Sequence, residues 1–160
     1  MENGQIVVFK LMNHEFGIDI MRVLEILNYE PVRPVPEVPT YVEGIINVRG
    51  TVYPIFNLCK RLNMPCSEDY EGAKFILLHL KEGRVGLLVD GVNEIMTVEQ
   101  EYIEETPVMI EKKRESCIDY IIKKDGKMVI VLDVNKIISD QENLFVQGVS
   151  NEEDCCSNAK

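Results

Sequence analysis

The stretch GIINVRGTVYPIFNL, Gly44 to Leu58, is apolar at almost every position apart from one short interruption, Asn47-Val48-Arg49-Gly50-Thr51. Two strand-like runs, Ile45 to Val48 and Thr51 to Leu58, therefore flank Arg49-Gly50, which reads as a tight connection. Gly50 supplies the conformational freedom that such a turn needs, and Arg49 projects outward. The strands are expected to bury Ile46, Val48, Val52 and Phe56, so that a rigid hairpin presents a cation.

The same period-two signal spreads outward in both directions. Towards the N-terminus, Ile6-Val7-Val8-Phe9, a polar break at Asn13-His14-Glu15 and Phe16-Gly17-Ile18-Asp19-Ile20 predict a hairpin with Phe16, Ile18 and Ile20 facing inward. Met21 to Leu27 fits a helical and a strand period equally, so its state stays open. Pro31, Pro34, Pro36 and Pro39 fix φ and push their predecessors towards extended geometry, which predicts a stiff crossover. The apolar residues between these prolines disfavour a proline-rich ligand motif.

Towards the C-terminus a short helical piece is expected at Cys59 to Leu62, then strands at Phe75 to Leu80, Val85 to Asp90 and Val92 to Met96, with turns at Glu82-Gly83 and Asp90-Gly91. Residues 97 to 116 are acidic, and Pro107 discourages a helix through them, so they read as a long connection. Ile118 to Lys123 and Met128 to Asp133 are joined through Asp125-Gly126, the strongest short hairpin signal. Val134 to Ser139 reads as a closing helix. From Asp140 to Lys160 the chain turns polar and acidic, with Leu144-Phe145-Val146 as its apolar patch, which predicts a mostly disordered tail. Nine or ten short strands with scraps of helix imply all-β architecture, built as small closed barrels.

Composition narrows the function classes. The 160 residues are 46% hydrophobic and 28% charged, the balance of a folded globular chain. Seventeen basic against 27 acidic side chains leave a net charge of −10, which repels nucleic-acid phosphates. No apolar run approaches the ~18–20 residues that span a bilayer, and Met1 to Gln5 lacks the start of a signal peptide, so a cytoplasmic location without membrane insertion is expected. Cys59, Cys66, Cys117, Cys155 and Cys156 are odd in number, form no CxxC pair and lack ligand-spaced histidines; neither a disulfide framework nor a metal site follows. The vicinal Cys155-Cys156 stands beside Glu152-Glu153-Asp154, whose charge should raise thiol pKa, and reads as incidental.

No catalytic motif or cofactor fingerprint is present. His14 and His79 read as ordinary turn and strand residues, and the acids between 94 and 105 as a solvated face. A small-molecule or catalytic β-barrel stays open as an alternative, but it would need convergent polar groups that the sequence does not display.

GIINVRGTVYPIFNL also resembles the segment that marks the CheW family of bacterial chemotaxis coupling proteins. FGIDIMRVLEI at Phe16 to Ile26, VGLLVDGVNEIM at Val85 to Met96 and DGKMVIVLDVNKII at Asp125 to Ile138 resemble further blocks of that family, in its order. At Asn57-Leu58-Cys59-Lys60 the chain departs from the Asp-Leu-Arg that relatives often carry.

The resemblance implies a domain over residues 1–139 made of two five-stranded β-barrel subdomains with a groove between them. The N- and C-terminal strands would share one barrel, the middle of the chain would form the other, and residues 140–160 would be the tail. It also implies a non-catalytic adaptor without cofactors, binding the cytoplasmic hairpin tips of methyl-accepting chemoreceptors and the regulatory domain of the histidine kinase CheA at membrane-associated arrays. A flagellar or a pilus-motility circuit would fit equally. By the same resemblance Arg49, Gly44, Glu25, Val23, Val32 and Val92 are the partner-binding candidates. Arginine suits the role because its planar fork engages carboxylates or carbonyls bidentately.

Overall fold

Residues 4–66, 69–81, 83–104 and 117–137 are described by a computed structural model. Among them run eleven strands: β1 Gln5–Leu11, β2 His14–Asp19, β3 Val23–Asn28, β4 Val42–Val48, β5 Thr51–Asn57, β6 Lys74–Leu80, β7 Gly83–Val89, β8 Gly91–Thr97, β9 Ile103–Glu104, β10 Ile118–Lys124 and β11 Lys127–Leu132. Helix α1, Leu58–Arg61, follows β5, and α2, Val134–Ile137, follows β11.

The strands form two sheets. The N- and C-terminal strands build one, in the order β8-β1-β2-β11-β10-β9, and the middle of the chain builds the other, in the order β3-β6-β7-β5-β4. The first sheet has six strands instead of five. Its extra member, β9, pairs only Ile103 and Glu104 with β10, too short and too acidic to stand out within a stretch read as connection.

Three apolar layers hold the sheets. Ile6, Val8, Ile122, Val129 and Val131 fill the concave side of the first sheet. Ile46, Tyr53, Ile55, Phe75, Leu77 and Leu88 fill that of the second. Between the sheets lies a larger layer that includes Val7, Phe9, Leu11, Phe56, Ile76, Leu78, Leu87 and Val89. Strands β1, β5, β6 and β7 thus send alternate residues into two different cores, which is why they read as continuous apolar runs. The expectation for the opening hairpin changes accordingly. Ile46 and Phe56 are buried, but in different layers, whereas Val48 and Val52 are only half-buried; Tyr53 and Ile55 take the inward places on β5.

The second sheet is drawn into a ring by the proline crossover. Arg33 exchanges two backbone hydrogen bonds with Ile45 of β4, N–H to C=O at 3.0 Å and C=O from N–H at 2.8 Å. Gly44 makes that approach possible. Its φ is +145°, and a Cβ there would lie 2.0 Å from the Arg33 carbonyl oxygen.

The β1–β2 turn falls at Met12-Asn13, one residue before the expected break, so His14 and Glu15 belong to β2. Phe16 and Ile18 are buried as expected, while Ile20 is half-buried in a 3₁₀ turn, Ile20–Arg22, that leads into β3. The tail from Asp140, with Cys155 and Cys156, lies outside the described residues.

Candidate partner-binding site

Two hairpins close with two-residue loops in which both residues have positive φ, the type I′ geometry that matches strand twist. One is Asp125-Gly126, at φ 50° and 78°. The other is Arg49-Gly50, at φ 50° and 87°, with the Gly50 N–H donating to Asn47 Oδ1 at 2.9 Å. Asp-Gly is the usual chemistry for such a loop. Arginine at its first position is not, because a Cβ there crowds the following carbonyl. Residues held in sparsely populated backbone regions cluster where function demands a particular side chain.

The Arg49 side chain is 72% exposed and the Glu25 side chain 32%. Nη1 donates to Glu25 Oε1 at 3.3 Å and Nη2 donates to Oε2, a bidentate pair across the top of the second sheet. β3 and β4 are the outer strands of that sheet, so the pair bridges its two edges. The Arg49 guanidinium holds the Glu25 carboxyl below the usual carboxylate range, by hydrogen bonding first and by charge second. Glu25 in turn raises Arg49. The expected outward cation is therefore present, but oriented by a carboxylate of the same chain.

The other candidates divide into three groups. Val23 stands two residues before Glu25 on β3, but a bulge lies between them: Val23 pairs with Leu78 and packs against the layer between the sheets, whereas Glu25 pairs with Leu77 of the second sheet's own core. Gly44 is buried, and the space beside it is taken by Arg33 and by the Val32 side chain, whose Cγ1 would sit 2.9 Å from an added Cβ. Val32 itself packs on the core of the second sheet. Val92 lies apart in the first sheet, on β8 opposite Phe9, and packs against the layer between the sheets.

Strand β3 adds what the sequence reading left out. It carries Leu24 and Ile26, 49% and 37% exposed, and Met21 just before it is 84% exposed. An exposed apolar stripe beside an oriented ion pair has the make-up of a protein-contact patch.

A second polar cluster was also missed. Asn57, the buried polar residue among those described, caps α1 by accepting from the Lys60 N–H at 3.2 Å, and its Nδ2 donates to Glu43 Oε1 at 2.8 Å. Lys60 Nζ meets the same oxygen at 3.0 Å, and that hydrogen bond raises its pKa. An asparagine directly before a helical run is an N-cap signal that could have located this junction.

The described residues contain no group of histidines, cysteines and carboxylates able to hold a metal ion. The cavity beside Asp19, Asp119 and Tyr120 holds about 50 Å³, whereas open surface depressions of about 440 Å³ beside Glu94 and Lys124 and about 720 Å³ beside Tyr41 and Lys60 fall within the ~300–1,000 Å³ of ligand pockets. No helix among the described residues is long and apolar enough to cross a membrane.

A two-sheet β module whose distinguishing surface is an ion pair and an apolar strand face is a binding module in class. The chain belongs to the CheW-like domain family, whose profile matches residues 5–142. It is 34% identical over 146 residues to the chemotaxis protein CheW of Treponema pallidum, covering 88% of this chain and 85% of that one. It is 33% identical to the chemotaxis protein CheW of Rhizobium meliloti, over 89% and 93% of the two chains. The scaffolding protein TtCheW of Thermoanaerobacter tengcongensis superposes with a TM-score of 0.79 at 28% identity, covering 88% of this chain and 95% of that structure.

Proposed function

We propose that this protein is a non-catalytic coupling protein that joins the cytoplasmic tips of methyl-accepting chemoreceptors to the regulatory domain of the histidine kinase CheA. It works in the cytoplasm at receptor arrays and passes receptor state to the kinase. Membership of a family of chemotaxis and scaffolding proteins supports the reading.

The observation that carries it is Arg49 at a backbone-costly turn position, oriented by Glu25 and still largely open to solvent. Glu25 engages Nη1 and Nη2, and a guanidinium has five N–H donors in one plane, so an incoming carboxylate or carbonyl can share the same fork. Holding the fork in advance removes part of the ordering cost of association. Val23 and Val32 support this rim, and Leu24 and Ile26 supply apolar contact beside it. Gly44 acts through the chain's own packing, and Val92 belongs to a separate patch on the first sheet.

Titration of the purified protein against a receptor cytoplasmic fragment and against the CheA regulatory domain tests the proposal. Saturable binding to both is expected, and binding to neither removes it. The genes around its coding region separate a flagellar circuit from a pilus-motility one.

A further inference from the structure

We propose that the chain's own C-terminal segment, through Leu144-Phe145-Val146, docks on an apolar shelf formed by α1, the loop after it and the end of the proline crossover. Arg49 lies at the turn of the β4–β5 hairpin, whereas the shelf lies at its other end, where Tyr41 leads into β4 and α1 follows β5. The inference therefore does not depend on the partner-binding rim.

The shelf stands at the margin of the layer between the sheets. Val38, Tyr41, Leu62, Met64 and Cys66 pack against that layer and stay half-buried. Their position follows from the way α1 ends. Leu62 N–H donates to the Leu58 carbonyl at 3.0 Å, Asn63 takes φ 58°, and the Met64 N–H returns to the Cys59 carbonyl at 2.9 Å. That reversal brings Met64 and Cys66 beside Tyr41 and Lys60, and together they line the surface depression of about 720 Å³. Apolar side chains gathered at one open place mark a contact surface.

The described chain ends beside this shelf. Ile137, 1% exposed, closes α2. Its carbonyl accepts from Arg61 Nε at 2.7 Å, and the Lys136 carbonyl accepts from Arg61 Nη2 at 3.4 Å. The same guanidinium lies over the Tyr41 ring, 5.7 Å from its centroid. One side chain of α1 thus spans the distance from the end of α2 to a wall of the depression.

Reach and charge select the occupant. Leu144 stands seven residues after Ile137, and seven extended residues cover about 23–25 Å, ample for a wall one arginine away. The charged residues on the way are Asp140 and Glu142, both acidic, and α1 offers Lys60 and Arg61. Lys60 Nζ meets Glu43 Oε1 at 3.0 Å, and an ammonium with three N–H donors can accept a second carboxylate beside it. A segment on so short a tether faces the shelf at an effective concentration on the order of millimolar, ahead of a free partner of the same chemistry. α1 follows a strand of the second sheet and α2 a strand of the first, so the docked segment straps the two sheets together over their shared layer.

Cys66 reports occupancy, because it lines the depression while Cys59 and Cys117 are buried. The test uses the full chain with Cys155→Ser and Cys156→Ser, compared with the same chain carrying Leu144→Ser and Phe145→Ser. Both are alkylated with iodoacetamide at neutral pH and read by peptide mass mapping. Cys66 should react about 10-fold faster once Leu144 and Phe145 are replaced, the ratio for a segment docked about nine-tenths of the time. The difference should persist on dilution of the protein. Carbodiimide coupling of the chain that keeps Leu144 and Phe145 should give an intramolecular amide between Lys60 and Asp140 or Glu142. Because that coupling is read with the apolar segment intact, it decides the outcome even where the serine variant loosens the fold. Equal Cys66 rates in the two chains, a difference that vanishes on dilution as for a second copy on the shelf, or no intramolecular amide from Lys60 to either acid would each overturn the proposal.

Discussion

Gly44→Ala separates a glycine that leaves room for a partner from one that leaves room for its own chain. At φ +145° an alanine is strained whatever surrounds it, and its Cβ would meet the Arg33 carbonyl oxygen at 2.0 Å and the carbonyl carbon at 2.7 Å. Relief requires the crossover to move, which breaks the paired hydrogen bonds between Arg33 and Ile45. Two backbone bonds at about 1 kcal/mol each, with backbone strain of about 1–3 kcal/mol, give a loss of about 3–5 kcal/mol. That is a large part of the roughly 5–15 kcal/mol that stabilises a domain. Denaturant unfolding followed by circular dichroism should show the midpoint falling accordingly at unchanged slope. A loss under about 1 kcal/mol would refute the reasoning, since the glycine would then be dispensable to the fold.

Phe56→Ala removes a fully buried ring from the layer shared by both sheets and should cost about 3–5 kcal/mol. Hydrogen exchange should show both sheets losing protection together; loss confined to the second sheet would contradict a common core. Asn57→Ala removes the α1 cap and the donor to Glu43. It should cost about 1–2 kcal/mol in thermal or denaturant unfolding. The Glu25 carboxyl, followed by NMR, should titrate below an ordinary glutamate and return to the usual range in Arg49→Ala. Because its folded-state value is depressed, the stability the pair contributes is present above the unfolded-state value of about 4.3. It is lost as pH falls through the depressed value.

The chain's local signals foretold its turns better than its faces. Asp125-Gly126 and Arg49-Gly50 each close a hairpin as expected, because a two-residue type I′ loop needs positive φ and glycine announces it. β3 could not be assigned from Met21 to Leu27, because half-buried Val23 and Leu27 pack in different layers, with a bulge and half-buried Glu25 between them, while Leu24 and Ile26 stay exposed. Polarity there does not follow orientation. In β5 alternation is hidden because both faces meet apolar layers. The site was read in part. Arg49 stood out as a cation in an apolar run, but its pairing with Glu25, 24 residues earlier, depends on the curl that brings the outer strands of one sheet together. Spacing along the chain carries no trace of that contact. Nor does it show that the room Gly44 leaves is filled by Arg33.

The central claim is that Arg49 serves binding and not folding, and one pair of measurements on Arg49→Ala tests it: the denaturant midpoint, and affinity for the receptor fragment and the CheA regulatory domain. The side chain is largely exposed and its ion pair lies at the surface, so the midpoint should stay close to that of the parent. A central interface arginine instead carries enough binding energy that its truncation should weaken association by roughly 30-fold or more. Arg49→Lys should restore only part of this, because an ammonium lacks the planar fork. Parental affinity in Arg49→Ala, or a midpoint that collapses with it, would contradict the account.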